Sequence, residues 1–334
     1  VSGEFIWRDA GRTVVFRRGG VGQAGHLLHE HDFGSFDLLS TQRALVGVGD
    51  LASAADAVHV VGPGTVPDLA AALLDKVESP RLVALGGGRV IDAAKAVASV
   101  LGAEVAAIPT TMSGAEMTGI HRPPHGAESR AAAMVRPALV IADPEAMTSQ
   151  PEAQLRASSM NALAHGVDSL YTPLSNPVSE MTALRGAELI AAALDQEEEE
   201  RNDSALALGS VLCGYAIDSA LFGLHHVVCQ TLVQVCGSPH AETNAAILPR
   251  AMAMLVARAP EQMAAAVAAI GTDPEDVEAR VLELGGHPAG LGAVGADRDR
   301  LDQALDAILA RAQLSYMPDQ PDRRELEQLI ESAW

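Results

Sequence analysis

The stretch Leu82-Val83-Ala84-Leu85-Gly86-Gly87-Gly88-Arg89-Val90-Ile91-Asp92-Ala93-Ala94-Lys95 decides the fold. Four apolar residues read as a short buried strand, three glycines as a turn, and Ile91 to Leu101 as a helix. Strand, glycine turn and helix in that order is the repeating unit of a parallel sheet. The glycines let backbone approach a ligand closely. The helix that follows offers free N–H groups and a positive dipole end, so the turn suits a pyrophosphate. A tight turn with no ligand is the plainer reading of the same residues.

Working outward, Val105 to Ile108 and Leu139 to Ile141 read as further strands. Upstream, Val14-Val15-Phe16, Ala44 to Val48 and His59-Val60-Val61 read the same way, with a helix over Pro67 to Val77. These runs are apolar throughout rather than alternating, so the sheet is expected to be covered on both faces. After Asp143-Pro144 the period becomes helical. Pro177 to Leu194 is one amphipathic helix, Ala205 to Val235 and Ala251 to Ile270 are long helical stretches, and Leu301 to Trp334 gives two short helices around Pro318. Glu197 to Glu200 reads as a solvated connection. The expectation is an α/β domain with a parallel, Rossmann-like sheet over residues 1–147, and an all-α domain over 148–334.

A chain of 334 residues suits two domains. Hydrophobic residues are 48% and charged residues 20%, which excludes a mainly disordered chain. The net charge of −20 makes nucleic acid and anionic membranes poor partners. No apolar run is long enough to span a bilayer, and Val1-Ser2-Gly3-Glu4-Phe5 lacks the pattern of a signal peptide. Cys213, Cys229 and Cys236 are odd in number and lie in apolar, helix-like stretches, so reduced buried thiols and a cytoplasmic location are expected.

Chemistry-bearing residues lie in both halves. Pro109 to Thr118 is a hydroxyl-rich loop at the carboxyl end of a strand, where open α/β sheets bind ligands. Its plainer reading is a helix cap, Ser113 with Glu116. Asn161 and His165 lie four apart on one helix face. His225, His226 and His240 come from later helical stretches. Imidazoles in this number serve either as metal ligands or as general acids and hydrogen-bond donors, and spacing does not choose between them.

The motifs Gly86 to Lys95, Pro109 to Thr118, Met160 to Tyr171, Gly223 to Cys229 and Pro239 to Thr243, in this order, resemble the iron-containing alcohol dehydrogenase superfamily. That group also includes glycerol dehydrogenases and dehydroquinate synthases, and the nearest likeness is to its maleylacetate reductases. The resemblance covers essentially the whole chain. It implies a nucleotide-binding α/β domain, a helical domain, a cleft between them, and hydride transfer from NADH or NADPH. It implies a pyrophosphate at Gly86, Gly87 and Gly88, with Asp92 and Lys95 in the helix behind them. Thr110, Thr111 and Thr118 would line the nicotinamide side. His165, His225, His226 and His240 would line the substrate cleft and supply a proton. His121, Arg122 or Arg250 would take a carboxylate of a small organic acid. Metal-dependent relatives hold iron or zinc at positions that fall on Asn161, His165, His226 and His240. A homodimer is the family-based expectation.

Several positions depart from the family pattern. Arg89 replaces a serine, Ala115 a serine and Ala138 a lysine. Gln230, Asn244 and Arg250 replace histidines. Because the departures gather at cofactor and substrate positions, two enzymatic readings stand. One is a reductase acting on an unsaturated or keto acid. The other is a lyase, isomerase or cyclase that keeps the histidine cleft without nicotinamide. A non-catalytic scaffold is a third reading.

Overall fold

A computed structural model describes residues 5–9, 11–132 and 134–334. Residues 1–4, read above for a leader, lie outside the described residues. The chain divides into two compact units, Val1–Gln150 and Pro151–Trp334.

The first unit runs β1 (Phe5–Asp9), β2 (Arg12–Phe16), α1 (Ala24–Glu30), β3 (Asp37–Ser40), α2 (Gly49–Ala54), β4 (Ala57–Val60), α3 (Val66–Ala71), β5 (Arg81–Gly86), α4 (Gly88–Leu101), β6 (Glu104–Pro109), β7 (Leu139–Ala142) and α5 (Pro144–Met147). Its strands form one seven-stranded sheet in the order β1-β2-β7-β6-β5-β3-β4, among the described residues. The β1–β2 pair is antiparallel and every other pair is parallel. Successive residues of one strand enter opposite cores. Leu39, Leu82, Ala84, Val105 and Ala107 pack with Val90, Ile91 and Val97 on one face. Leu38, Val83, Leu85, Ala106 and Ile108 pack with Leu27 and Leu28 on the other. Both faces are therefore covered, which is why the strands carry no polar alternation. From β3 the chain passes outward to β4, then returns to β5 on the other side of β3. This reversal puts the Gly86 turn at a switch point, on the carboxyl end of β5.

Two local expectations are corrected. Ala44 to Val48 is a turn, not a strand. Leu45 N–H donates to Thr41 O, Gly47 has φ +83°, and Val46 is 79% exposed. The strand is the preceding Asp37-Leu38-Leu39-Ser40, buried at all four positions. The helix begun at Val66 under its Thr65 cap ends at Ala71 and gives way to turns before Val77.

The second unit is helical: α6 (Glu152–Ser169), α7 (Pro177–Leu194), α8 (Asp203–Ala220), α9 (Leu224–Cys236), α10 (His240–Arg258), α11 (Pro260–Ala269), α12 (Val277–Leu284), α13 (Leu301–Leu309) and α14 (Arg323–Glu331). Asn176 opens α7 with a reciprocal capping box through Ser179, and Pro177 fills the first turn, where its missing N–H costs nothing. The long stretch read over Ala205 to Val235 is two helices bent by 95°, broken at Leu221-Phe222-Gly223. Ala251 to Ile270 likewise splits at Ala259-Pro260. Cys213, Cys229 and Cys236 are buried and unbridged. No single helix among the described residues is long and apolar enough to cross a membrane.

Candidate functional site

In the first unit β5 runs through Gly86 and Gly87 into α4, whose start carries no side-chain cap. The glycines are required by close approach. A Cβ on Gly88 would meet Ser113 Cβ at 2.9 Å, and one on Gly87 would meet Thr111 Cγ2 at 3.0 Å. The turn thus packs directly on the Thr110–Ser113 loop, with the α4 amino end left for an anion. Arg89 in the first turn is exposed, so it does not fill the turn from within.

Lys95 corrects an expectation. It is wholly buried, and its ammonium is spent inside the protein, on Asp92 Oδ1 (2.7 Å), Ala115 O (3.0 Å) and Thr118 Oγ1 (3.3 Å). The ammonium is thus engaged within the protein, and Lys95 ties the threonine loop to α4 instead of reaching a cofactor. Thr110, Thr111 and Thr118 are half-buried along that loop. The helix cap read into Ser113 and Glu116 is absent: residues 115–117 form a turn, closed by Met117 N–H to Gly114 O. Glu116 is fully buried, and neither of its oxygens accepts a hydrogen bond from another residue. Burial pushes its carboxyl up to about 7, against the pull of its own backbone and of Lys95. His121 is half-buried, with burial lowering its basicity, and Arg122 is exposed.

In the second unit α6 presents Asn161, His165 and Asp168 at i, i+4 and i+7, one helical face. All three are buried. The start of α9 brings His225 and His226 to the same place. Asp168 binds both of these and Tyr171: its Oδ2 accepts from His226 N–H (3.0 Å) and His226 Nδ1 (2.8 Å), and its Oδ1 from His225 N–H (3.4 Å) and Tyr171 O–H (2.6 Å). The Tyr171 hydroxyl in turn accepts from Leu224 N–H at 2.6 Å. A Cβ on Gly223 would collide with the Tyr171 ring, which explains the glycine before α9. The His226 ring lies nearly parallel to His165, with centroids 4.8 Å apart and planes 17° apart, and edge-on to His225 at 5.0 Å.

Burial sets the charge state here. It drives His165 well below its ordinary range, helped by His226, His240 and His225, and it takes His225 down to about 3, helped by His226. For Asp168 burial works the other way, but the hydrogen bond and charge of His226 outweigh it and hold the carboxyl below the usual carboxylate range. Burial and the neighbouring Asp168 push the Tyr171 phenol well above its ordinary value, keeping it a donor. His225 Nε2 faces Asn244 O at 3.2 Å. Neither His226 Nε2 nor His165 Nδ1 meets a hydrogen-bond partner among the described residues. His240 opens α10 and is exposed; its charge is felt at His165 and His225.

Asp168, His225 and His226 each bring one donor atom within 4.8 Å of the others. Asp168 and Tyr171 were missed in the sequence as functional residues. The signal was present for Asp168, three residues beyond His165 on the same face. Arg250 is not gathered in: its contacts are Ala246 O and Glu278 (3.5 Å), in an open groove of about 490 Å³ shared with Arg258, Asp319 and Glu325.

Residues 156–334 match the Fe-containing alcohol dehydrogenase family, C-terminal. The chain belongs to the iron-containing alcohol dehydrogenase family. It is an enzyme of the oxidoreductase class, in a family that works with NAD(P). Maleylacetate reductase 1 of Rhodococcus opacus is 34% identical over 81% of this chain and 78% of its own length. Maleylacetate reductase of Burkholderia cepacia is 32% identical over 99% and 97%. The crystal structure of maleylacetate reductase from Agrobacterium tumefaciens superposes with a TM-score of 0.84 at 26% identity, covering 100% of this chain and 99% of that one.

Proposed function

We propose that the protein is an NAD(P)H-dependent reductase of a small unsaturated or keto acid, of the maleylacetate type. The observation that carries the reading is the joint presence of two features in this family background. One is an uncapped helix end behind three packed glycines in the first unit. The other is a buried, mutually ordered histidine cluster in the second. The departures at Arg89, Ala115 and Ala138 together favour the reading without nicotinamide, and exposure answers it for Arg89 alone. Its exposure leaves the turn open and its charge available to a phosphate.

When bound, NAD(P)H supplies a hydride, and the substrate takes up that hydride and one proton. The amino end of α4 holds the pyrophosphate, while Thr110, Thr111 and Thr118 present hydroxyls along the nicotinamide. Burial keeps His165 and His225 neutral. His225 is wholly enclosed, its ring between Asn244 O and His226, so it backs the cluster rather than touching the substrate, and His165 offers the polar but uncharged surface. His240, exposed at the start of α10, is the member of the set with access to bulk protons, and we assign it the proton. Arg122 and His121 are the groups proposed for a carboxylate. Arg250 is matched by Glu278 instead.

We read the metal positions implied by the family as a weak cation site, although Asp168, His225 and His226 each bring a donor atom within 4.8 Å of the others. Asn161 offers a neutral amide. The His165 and His226 rings are stacked on one another, with planes 17° apart. Both Asp168 oxygens already accept hydrogen bonds from His225, His226 and Tyr171. Chelation of the purified enzyme by EDTA is expected to leave turnover unchanged; a loss reversed by Fe²⁺ or Zn²⁺ would overturn this.

The deciding experiment titrates the protein with NADH and with NADPH, by calorimetry or cofactor fluorescence. Micromolar binding, followed by oxidation of the bound cofactor on addition of maleylacetate, is the expected result. Absence of binding at millimolar cofactor sinks the reading.

A further inference from the structure

We infer that Asp168 is the positioning residue of the histidine cluster: held by Tyr171, it locks His226 in the tautomer protonated at Nδ1, so that Nε2 is presented as a bare acceptor.

Three features of the geometry carry this. First, a single oxygen, Asp168 Oδ2, holds both the backbone N–H of His226 (3.0 Å) and its ring Nδ1 (2.8 Å). A side chain tied at both ends to one atom has no freedom left about its rotatable bonds. An ionised carboxylate only accepts, so the ring nitrogen facing it must carry the proton. Second, the carboxylate is itself held. Tyr171 donates to Oδ1 at 2.6 Å, and the same hydroxyl accepts from Leu224 N–H at 2.6 Å, so the oxygen lone pair and the proton of Tyr171 are both committed. The direction of that chain is fixed, because a backbone N–H cannot accept. Third, the far nitrogen, His226 Nε2, is buried and meets no hydrogen-bond partner among the described residues, while the ring is stacked on His165. A buried polar atom left without a partner is costly unless it has one during function. The orientation set by Asp168 therefore aims an acceptor lone pair at whatever occupies that place, suited to a substrate hydroxyl, an enol or a water.

A purely structural reading also exists. Asp168 accepts the N–H groups of His225 and His226 at the start of α9, as a helix cap does. The test must separate the two. Nitrogen-15 shifts of the His226 ring report the tautomer directly and need no turnover, so this arm stands even if the proposed reduction fails. The kinetic arm rests on that reduction. The wild-type protein is expected to show protonated Nδ1 and bare Nε2. Asp168→Leu removes the acceptor that both His226 Nδ1 and the His226 N–H share, so nothing holds the ring proton at Nδ1 and the Nε2-protonated form becomes populated. With saturating NADH, kcat is expected to fall about 10–100-fold, the size typical when a partner orienting an active histidine is lost. KM and the NADH Kd should change less than twofold. Tyr171→Phe, which keeps the carboxylate but releases it, should lose about tenfold in kcat and broaden the His226 signal. Should Asp168→Leu not fold, the wild-type tautomer and Tyr171→Phe decide. An Nε2-protonated His226 in the wild type overturns the inference. So does a folded Asp168→Leu with unchanged tautomer and kcat.

Discussion

Glu116 lies in the middle of the threonine loop with no side-chain partner, and burial has moved its titration to about 7. A carboxyl whose folded value is raised binds more protons in the native than in the unfolded state between its ordinary 4.5 and 7. Its contribution to stability is therefore neutral at low pH and becomes destabilising as pH rises through that window. At pH 8 the penalty amounts to about 3 kcal/mol. Glu116→Gln is expected to be more stable than wild type at pH 8 by roughly that amount and indistinguishable near pH 4, measured by urea unfolding. A difference independent of pH would show that ionisation is not the cause. At the same scale, Gly88→Ala forces its Cβ onto Ser113 Cβ at 2.9 Å. Overpacking of this kind costs about 1–3 kcal/mol. Because the displaced loop carries the hydroxyls proposed for nicotinamide, NADH affinity should fall at least tenfold in the same titration, while Arg89→Ala should fall less.

Among elements, the corner between α8 and α9 places the histidines. Leu221 there has φ 61° and ψ −169°, a region nearly closed to residues with a Cβ. Strain of this kind costs about 1–3 kcal/mol and persists where surrounding contacts enforce it. Leu221→Gly and Leu221→Ala remove the same side chain, but only the glycine relaxes the backbone. The glycine variant should exceed the alanine variant in stability by about 1–2 kcal/mol; equal values would mean that the corner is unstrained. This corner also marks where the sequence was illegible. The apolar run from Ala205 to Val235 has helical period on both sides of the break, and only Gly223 hints at a bend. The central strands and the glycine turn were legible because a strand buried on both faces leaves no choice of residue type. Ala44 to Val48 misled for the same reason: five apolar residues look like a strand, whereas three of them pack only partly at the surface of a turn and Val46 and Gly47 are exposed. Histidines announce themselves by type. The roles of Asp168 and Tyr171 arise only when α9 is brought against α6, a contact across more than fifty residues that no local pattern carries.

At the scale of the whole molecule the net charge of −20 bears on the proposed reaction. Both the reduced cofactor and a dicarboxylate are anions, so the long-range field of the protein repels each of them. In the proposed reaction the groups that draw them in act at short range: the α4 amino end, Arg89 and Arg122. Salt screens the long-range part first. The screening length falls from about 30 Å at 0.01 M to about 8 Å at 0.15 M, shorter than the protein but longer than a direct contact. The apparent second-order rate constant kcat/KM for the acid should therefore rise with salt over this interval, by a fewfold, before falling at higher concentrations as direct contacts weaken. A neutral ester of the same acid should show no such rise. Steady-state rates at several salt concentrations, with NADH saturating, check it. A monotonic fall from the lowest salt onward would mean that a local positive funnel outweighs the global charge, and would shift attention to the arginines beside the turn.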